Sequence, residues 1–135
     1  MSIQLSTSVR NGRLDNIETT IGTAPILEIR SGSAPADCAT GDSGTLLASM
    51  TLPSDWLAAA SSGSKAKSGT WSDPSGNNAG TAGHFRIKDS GGSTCHLQGT
   101  VTATGGGGDL TLDNTSIAVG QVITITSFTL TDGNA

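Results

Sequence analysis

The stretch that decides the fold is residues 84–101, HFRIKDSGGSTCHLQGTV, which predicts two β-strands folded back on each other across residues 90–92. Phe85 and Ile87 alternate with polar residues on the first arm, and the second arm has the same period of two. The glycines of the connection supply the positive φ angles that a tight hairpin needs. We therefore expect one face of the hairpin in the core and the opposite face in water. The water-facing side chains are predicted to be His84, Arg86, Lys88 and His96.

Apolar runs on both sides of the hairpin predict the rest of a β-sheet. They cover residues 25–30, 45–52, 65–71, 109–113 and 121–131. Strands that are this short, with glycine-rich turns between them, favour an all-β fold, either an antiparallel β-sandwich or a jelly roll.

Local details refine this prediction. The parity of the apolar residues changes within the last run, which predicts a β-bulge near residues 126–127. Residues 53–60 are expected to form one helical turn that brings Trp56 to the edge of the core. Residues 72–83 are expected to form a loop, and the four glycines at 105–108 are expected to let the chain swing freely.

Residues 6–21, STSVRNGRLDNIETTI, carry the one clear helical pattern. Ser6 or Ser8 can cap its start and Gly22 can close its end. The apolar stripe consists of Leu14, Ile17 and Ile21. The chain is therefore divided into an N-terminal helical segment, residues 1–22, and a single jelly-roll-like β domain, residues 23–135.

The charges on this helix oppose its dipole. Arg10 and Arg13 lie toward the positive end, whereas Asp15 and Glu18 lie toward the negative end. An isolated helix with these charges is weak, so we expect contact with another chain or with the β body to hold it. A helix that covers an open edge of its own domain explains the pattern equally well.

Composition disfavours several classes of partner. The net charge is −4 and only seven Lys and Arg are present, so we expect no nucleic-acid binding. No apolar run approaches the ~20 residues of a membrane span, and no secretory signal is evident, so the protein is expected in the cytoplasm of its producer.

Cys38 and Cys95 can pair as a disulfide, but a reducing compartment favours two free, buried thiols.

Two groups of residues suggest a catalytic or metal site, but the sequence around each argues against that function. Residues 41–44, GDSG, match the nucleophile motif of trypsin-like serine proteases, but both histidines follow Ser43 and the chain is too short for two barrels. His84 and His96 could hold a metal ion with Asp89 nearby if they met across the hairpin, yet no recognised ligand spacing is present. We therefore predict no catalytic residues, no metal, no cofactor and no enzymatic activity.

Taken together, several segments resemble a family of small proteins encoded in the head-gene region of tailed phages and prophages. They are STSVRNGRLDNIETTIG, LEIRSGSAPADC, SGTLLASMTLPSDW, AGTAGHFRIKDSGGSTCHLQGTVTATGGGGDLTLDNTSI and TITSFTLTDGNA. The resemblance implies a jelly-roll capsid cement or decoration protein that binds outside an HK97-type shell and clamps neighbouring capsomers. Its implied partners are the major capsid protein and a second copy of itself, as a homodimer at local two-fold positions.

Partner contacts are expected on the N-terminal segment, on the loop at residues 71–78 and on the C-terminal residues 129–135, which can add a strand to a partner. The residues chosen for this role are Arg10, Arg13, Leu14, Ile17, Trp71, Asn77, Asn78, Thr129 and Thr131. Two alternatives remain: a phage tail or fibre subunit, or a receptor- or carbohydrate-binding β-sandwich that uses Trp56 and Trp71.

Overall fold

The computed structural model describes residues 3–134, which form one helix and a curled mixed β-sheet. The elements are α1 (Thr7–Ile21), β1 (Ile26–Ser31), β2 (Leu46–Thr51), β3 (Ser64–Ala66), β4 (Ser72–Asp73), β5 (Gly80–Lys88), β6 (Cys95–Ala103), β7 (Leu110–Leu112), β8 (Ser116–Ile117) and β9 (Ile123–Thr131).

The strands are ordered β2-β1-β5-β6-β7-β9-β3, with β4 also on β9 and β8 also on β5. This confirms an all-β fold with a short N-terminal helix. The antiparallel prediction is wrong at one junction, because β6 and β7 run parallel. Assignment to a sandwich or a jelly roll stays a prediction.

The predicted hairpin forms at the centre of the sheet. Phe85 pairs with Gly99 and Ile87 with Leu97, and Gly92 in the connection has φ +70°. Phe85 and Ile87 are buried, as their alternation predicts. The hairpin thus supplies the middle of the core.

The opposite face of β5 is not in water, which corrects the prediction. His84, Arg86 and Lys88 are only 0%, 1% and 7% exposed. Residues 32–44, which connect β1 to β2 and are called the covering loop below, lie over this face. The Nη2 of Arg86 donates to the carbonyls of Cys38 and Thr40 at 3.1 and 2.9 Å. The alternation of apolar and polar residues along β5 predicts that its two faces differ. It does not predict that a loop distant in sequence covers the polar face.

The two histidines do not meet across the hairpin, so the metal geometry that was considered for them does not exist. His84 pairs with Thr100, whereas His96 follows Cys95 near the turn at the other end of the strand pair. His84 Nδ1 lies 2.9 Å from the carbonyl of Gly32. Within residues 3–134, no three His, Cys, Asp or Glu are grouped so that they could hold a metal ion.

Two of the four glycines at 105–108, Gly106 and Gly108, pack closely against Thr102, so the segment does not swing freely. The glycine segment returns the chain so that β7 lies parallel to β6, with Gly108 N–H donating to Thr102 Oγ1 at 3.0 Å. A Cβ at Gly108 would lie 2.9 Å from the backbone nitrogen of Thr102. Parallel neighbours usually need a longer crossover. The glycines make this short one possible because they leave room for the backbone.

The bulge predicted in the last strand is present. Thr111 pairs with Ser127, and the next residue, Leu112, pairs with Ile125, so Thr126 is the extra residue. The extra residue lets Ile125 and Phe128 both be buried.

Two local predictions are wrong. Residues 53–60 form a turn and a bridge at Leu57, with no helical turn, and residues 72–83 contain β4 and the start of β5. Trp56 is nevertheless in the core, fully buried, and its Nε1 donates to the carbonyl of Gly22 at 3.0 Å.

All four aromatic side chains of the protein lie in one buried cluster. The ring centroids of Trp56 and Trp71 are 5.9 Å apart, and those of Trp71 and Phe128 are 5.4 Å apart. Phe85 meets Phe128 edge to face at 5.7 Å. Such pairs favour one packing arrangement over others. No aromatic ring is left for an exposed binding platform.

Candidate functional site

The N-terminal helix begins and ends where its caps predict. Ser6 Oγ accepts from Val9 N–H at 3.2 Å, and Gly22 N–H donates to the Glu18 carbonyl. Leu14 and Ile21 are buried against the β body. The helix therefore covers part of its own domain.

The unfavourable charges of this helix find partners in the β body. Arg13 Nε lies 3.1 Å from an Asp132 carboxylate oxygen, and Lys65 Nζ lies 2.7 Å from Asp15 Oδ1. The Lys65 hydrogen bond, followed by that from the Ala60 backbone, lowers the pKa of Asp15. Tertiary contacts thus compensate for charges that a lone helix would not favour. Of the two explanations offered by the sequence, contact with the β body is confirmed.

The helix and the C-terminal segment border an open groove of about 850 Å³. Gly12, Arg13 and Ile17 line it from α1, and Thr131 and Asp132 line it from the end of the chain. We call this the terminal groove. It is a mixed apolar and charged surface formed by the two ends of the chain.

The exposed large apolar side chains of the described residues are Ile3, which is 78% exposed, and three valines. Val9, which lines the terminal groove, is 49% exposed, whereas Val119 and Val122 in the segment before β9 are 69% and 58% exposed. Single exposed apolar side chains are ordinary on protein surfaces, so Val9 is of interest only together with the groove that it lines.

The structure brings part of the predicted contact set together. Arg13, Ile17 and Thr131 meet in the terminal groove. Arg10 lies just beside it, and its Nη1 donates to the Asp132 carbonyl at 3.4 Å. Sequence reasoning missed Asp132, whose carbonyl accepts from Arg10 and whose carboxylate forms an ion pair with Arg13. The signal was weak because Asp132 lies more than a hundred residues from them in the chain.

Two predicted contact residues are buried in the protein itself. Trp71 is 1% exposed and belongs to the aromatic cluster, so its choice as a contact residue is wrong. Leu14 is 3% exposed, and it lines the groove from the buried side of α1. Composition and expected exposure alone do not distinguish a core residue from a binding residue at these two positions.

Asn77 and Asn78 are exposed but already bonded within the chain. Asn77 N–H donates to the Leu47 carbonyl, and Asn78 Nδ2 donates to the Leu46 carbonyl, both at 2.8 Å. These bonds cover the outer edge of β2. The segment therefore protects a sheet edge that would otherwise be open to pairing with another chain.

The added-strand prediction for residues 129–135 stays a prediction. Thr129 and Thr131 have exposed side chains and pair with β3 along one side, whereas β7 and β4 pair with other parts of β9. One side of this segment is therefore occupied within the chain. Ala135 lies outside the described residues.

A second site, missed by sequence reasoning, lies beneath the covering loop. Asp42 is within 3.1 Å of Arg30, 2.6 Å of Arg86 and 2.7 Å of Lys88. Glu28 is within 3.0 Å of Arg30 and 3.1 Å of Lys88. The signal was present, because Glu28 pairs with Arg86 on adjacent strands and so shares its face.

This ion cluster sets the protonation of its members. The hydrogen bond from Lys88 lowers the pKa of Asp42, against the effect of burial, and the bond from Arg86 and the charge of Arg30 add to the decrease. Burial acts to lower the pKa of Lys88, but its bonds to Asp42 and Glu28 raise it overall. Both members are therefore held in their charged forms.

The GDSG segment belongs to this cluster. Its Asp42 is the counterion just described, and Ser43 Oγ donates to the carbonyl of Ser33 at 3.2 Å. His84 is fully buried under the loop. The motif thus has a structural role in fixing the covering loop.

Comparison with family models, with curated proteins and with solved structures found no match to this chain. Among the described residues, no helix has the length and apolar character to span a bilayer.

Proposed function

We propose that this protein is a decoration (cement) protein of a tailed phage or prophage, which binds the outside of an HK97-type capsid and clamps neighbouring capsomers. It is made in the cytoplasm of the host bacterium and resides on the capsid exterior. Its partners are the major capsid protein and a second copy of itself at local two-fold positions. The segment resemblance described above motivates this assignment.

The terminal groove is the observation that carries the binding role. It combines an exposed valine, Val9, with a partly exposed arginine, Arg13, whose side chain is 58% exposed although it pairs with Asp132. Apolar contact with a charged rim is the usual composition of a protein–protein interface. The groove is the surface that we assign to the capsid protein.

The fold supports a mechanical role for the rest of the chain. Residues 77–78 bond to the start of β2, and the last strand pairs with β4 and β3 at its two ends and with β7 in its middle. Such a body resists unwanted strand pairing. When many copies bind one shell, each contact can be weak, because a clamp that holds one subunit binds the next at high effective concentration.

The carbohydrate-binding alternative loses its main support, since Trp56 and Trp71 are in the core. A tail or fibre subunit remains the alternative, because a stable β body serves that role equally well.

Quantitative mass spectrometry of purified heads and tails tests the proposal. The expected result is this protein in the head fraction, in fixed ratio to the major capsid protein. Its presence in the tail fraction alone would favour the tail alternative. Light scattering of the free protein tests the dimer, with twice the 13.4 kDa chain mass as the expected value.

A further inference from the structure

The two cysteines of the protein meet beneath the covering loop. Cys38 lies in that loop and Cys95 begins β6, and their Sγ atoms are 2.7 Å apart as free thiols. A disulfide bond is about 2.05 Å long. Bond formation therefore needs a movement of well under one ångström.

The cysteine pair is accessible from solvent. Both cysteines are half-buried and line an open pocket of about 180 Å³, together with Thr40 and Ser93. Exchange reactions require a thiol that the reagent can approach. The pocket provides that approach.

Cationic side chains surround the pair. Arg86 and Lys88 line the same pocket, and Arg86 Nη2 donates to the Cys38 carbonyl. Burial acts to lower the pKa of Arg86, but its bond to Asp42 and the nearby Cys95 sulfur raise it overall. A neighbouring cation stabilises a thiolate, which is the nucleophilic form of cysteine.

The two thiols have different roles. Burial, followed by the hydrogen bond with Cys95, raises the pKa of Cys38 to about 11. Cys38 therefore keeps its proton while Cys95 is free. Burial still acts on Cys38 after Cys95 has reacted, but the Cys38 sulfur lies next to that of Cys95, so Cys38 is positioned as the resolving thiol.

We propose that Cys38 and Cys95 form an intramolecular disulfide by exchange with an external low-molecular-weight disulfide, and that the new bond fastens the covering loop to the hairpin. This inference does not depend on the proposed function.

The exchange has two balanced steps. The Cys95 thiolate attacks the external disulfide, so a mixed disulfide forms and one small thiolate leaves. Cys38 then attacks the Cys95 sulfur, the mixed disulfide breaks and the second small thiol leaves. The protein loses two electrons and two protons, which the external disulfide carries away as two thiols.

The disulfide should raise the thermal stability of the protein, because the two linked residues are far apart in the chain. They are separated by 57 positions. A cross-link that closes a long loop restricts the unfolded state more than the folded state. In the reduced protein the hydrogen bonds and ion pairs of Asp42 and Arg86 hold the loop, whereas in the oxidised protein a covalent bond holds it as well.

Treating the reduced full chain with oxidised glutathione tests the proposal. We expect a mass decrease of about 2 Da for the loss of two hydrogens, no remaining alkylatable thiol, and a rise in Tm on the order of 10 °C. Dithiothreitol should reverse all three changes.

Single variants separate the roles of the two cysteines. In Cys38→Ser, Cys95 should stop at the mixed disulfide with glutathione, and Tm should not rise. In Cys95→Ser, Cys38 should react at least ten-fold more slowly than Cys95 does in Cys38→Ser. If the wild type instead collects two glutathiones, forms cross-linked dimers or keeps two alkylatable thiols, the intramolecular bond is refuted. If the disulfide forms but Tm does not change, the proposal that the bond fastens the covering loop to the hairpin is refuted.

Discussion

Asp42 Oδ1 and Arg86 Nη1 lie 2.6 Å apart, joining the covering loop to the middle of β5. Arg86 is 1% exposed, so it is a cation in the interior that depends on partners supplied by a loop far away in sequence. Three carbonyls of the same loop accept from its Nη2. This contact explains how the face of β5 that carries charged side chains is buried.

Asp42→Asn should destabilise the protein by about 2–4 kcal/mol, because the buried Arg86 loses its carboxylate partner, whereas Arg30 and Lys88 keep Glu28. Urea unfolding followed by tryptophan fluorescence measures the change. The matched control is Asp55→Asn, at an exposed position, which should change stability by less than about 0.5 kcal/mol. Equal effects of the two substitutions would contradict the role of the ion cluster.

The free energy of unfolding should decrease as the pH is lowered into the acid range. The folded-state pKa values of Asp15, Asp37, Asp42 and Asp89 are all lowered from 3.8. A carboxyl of this kind contributes stability above its unfolded pKa and loses it as the pH falls through its folded pKa. Unfolding free energies between about pH 5 and pH 2 should therefore decline steadily, and the decline should be shallower in Asp42→Asn. A flat profile in the wild type would contradict this.

Stability should also fall on the alkaline side, beginning with Cys38. Its pKa is raised from 9.0 to about 11, so its contribution is present below pH 9.0 and is lost as the pH rises toward 11. Lys88, whose pKa is raised from 10.5, adds to the loss at higher pH. Under reducing conditions, Cys38→Ser should remove the first part of this decline. If the decline between pH 9 and 10 is the same in the variant, Cys38 is not its source.

Two glycine-to-alanine substitutions should have opposite effects. A Cβ at Gly99 would lie 2.8 Å from the Phe85 ring and 2.7 Å from an Asp109 oxygen, so Gly99→Ala should cost about 1–3 kcal/mol. A Cβ at Gly12, inside α1, would meet nothing within 4 Å, so Gly12→Ala should add about 0.5–1 kcal/mol. Thermal unfolding measures both, and a stabilised Gly99→Ala would contradict the packing described here.

Features with a local cause were predictable from the sequence. The burial of Phe85 and Ile87 in the hairpin follows from their alternation with polar residues, the bulge from the parity change before Phe128, and the helix ends from Ser6 and Gly22. Each of these signals lies within a few residues of the structure that it specifies.

Features with a distant cause were not predictable. The burial of Arg86 depends on Asp42, and the helix charges are matched by Asp132 and Lys65. The parallel pairing of β6 and β7 depends on backbone contacts between glycines and Thr102. For the candidate site, the sequence indicated both ends of the chain but not that they meet in one groove.

Sedimentation of the protein with purified, expanded capsid shells of the phage or prophage that encodes it tests the central claim most directly. The account predicts saturable binding of the wild type and of Val122→Glu, and at least ten-fold weaker binding of Val9→Glu. The two valines are 58% and 49% exposed, so these substitutions add the same charge at comparable surface sites, and only Val9 lines the groove. Wild-type protein that stays in the supernatant at all concentrations would contradict the capsid assignment, and equal binding of both variants would contradict the groove.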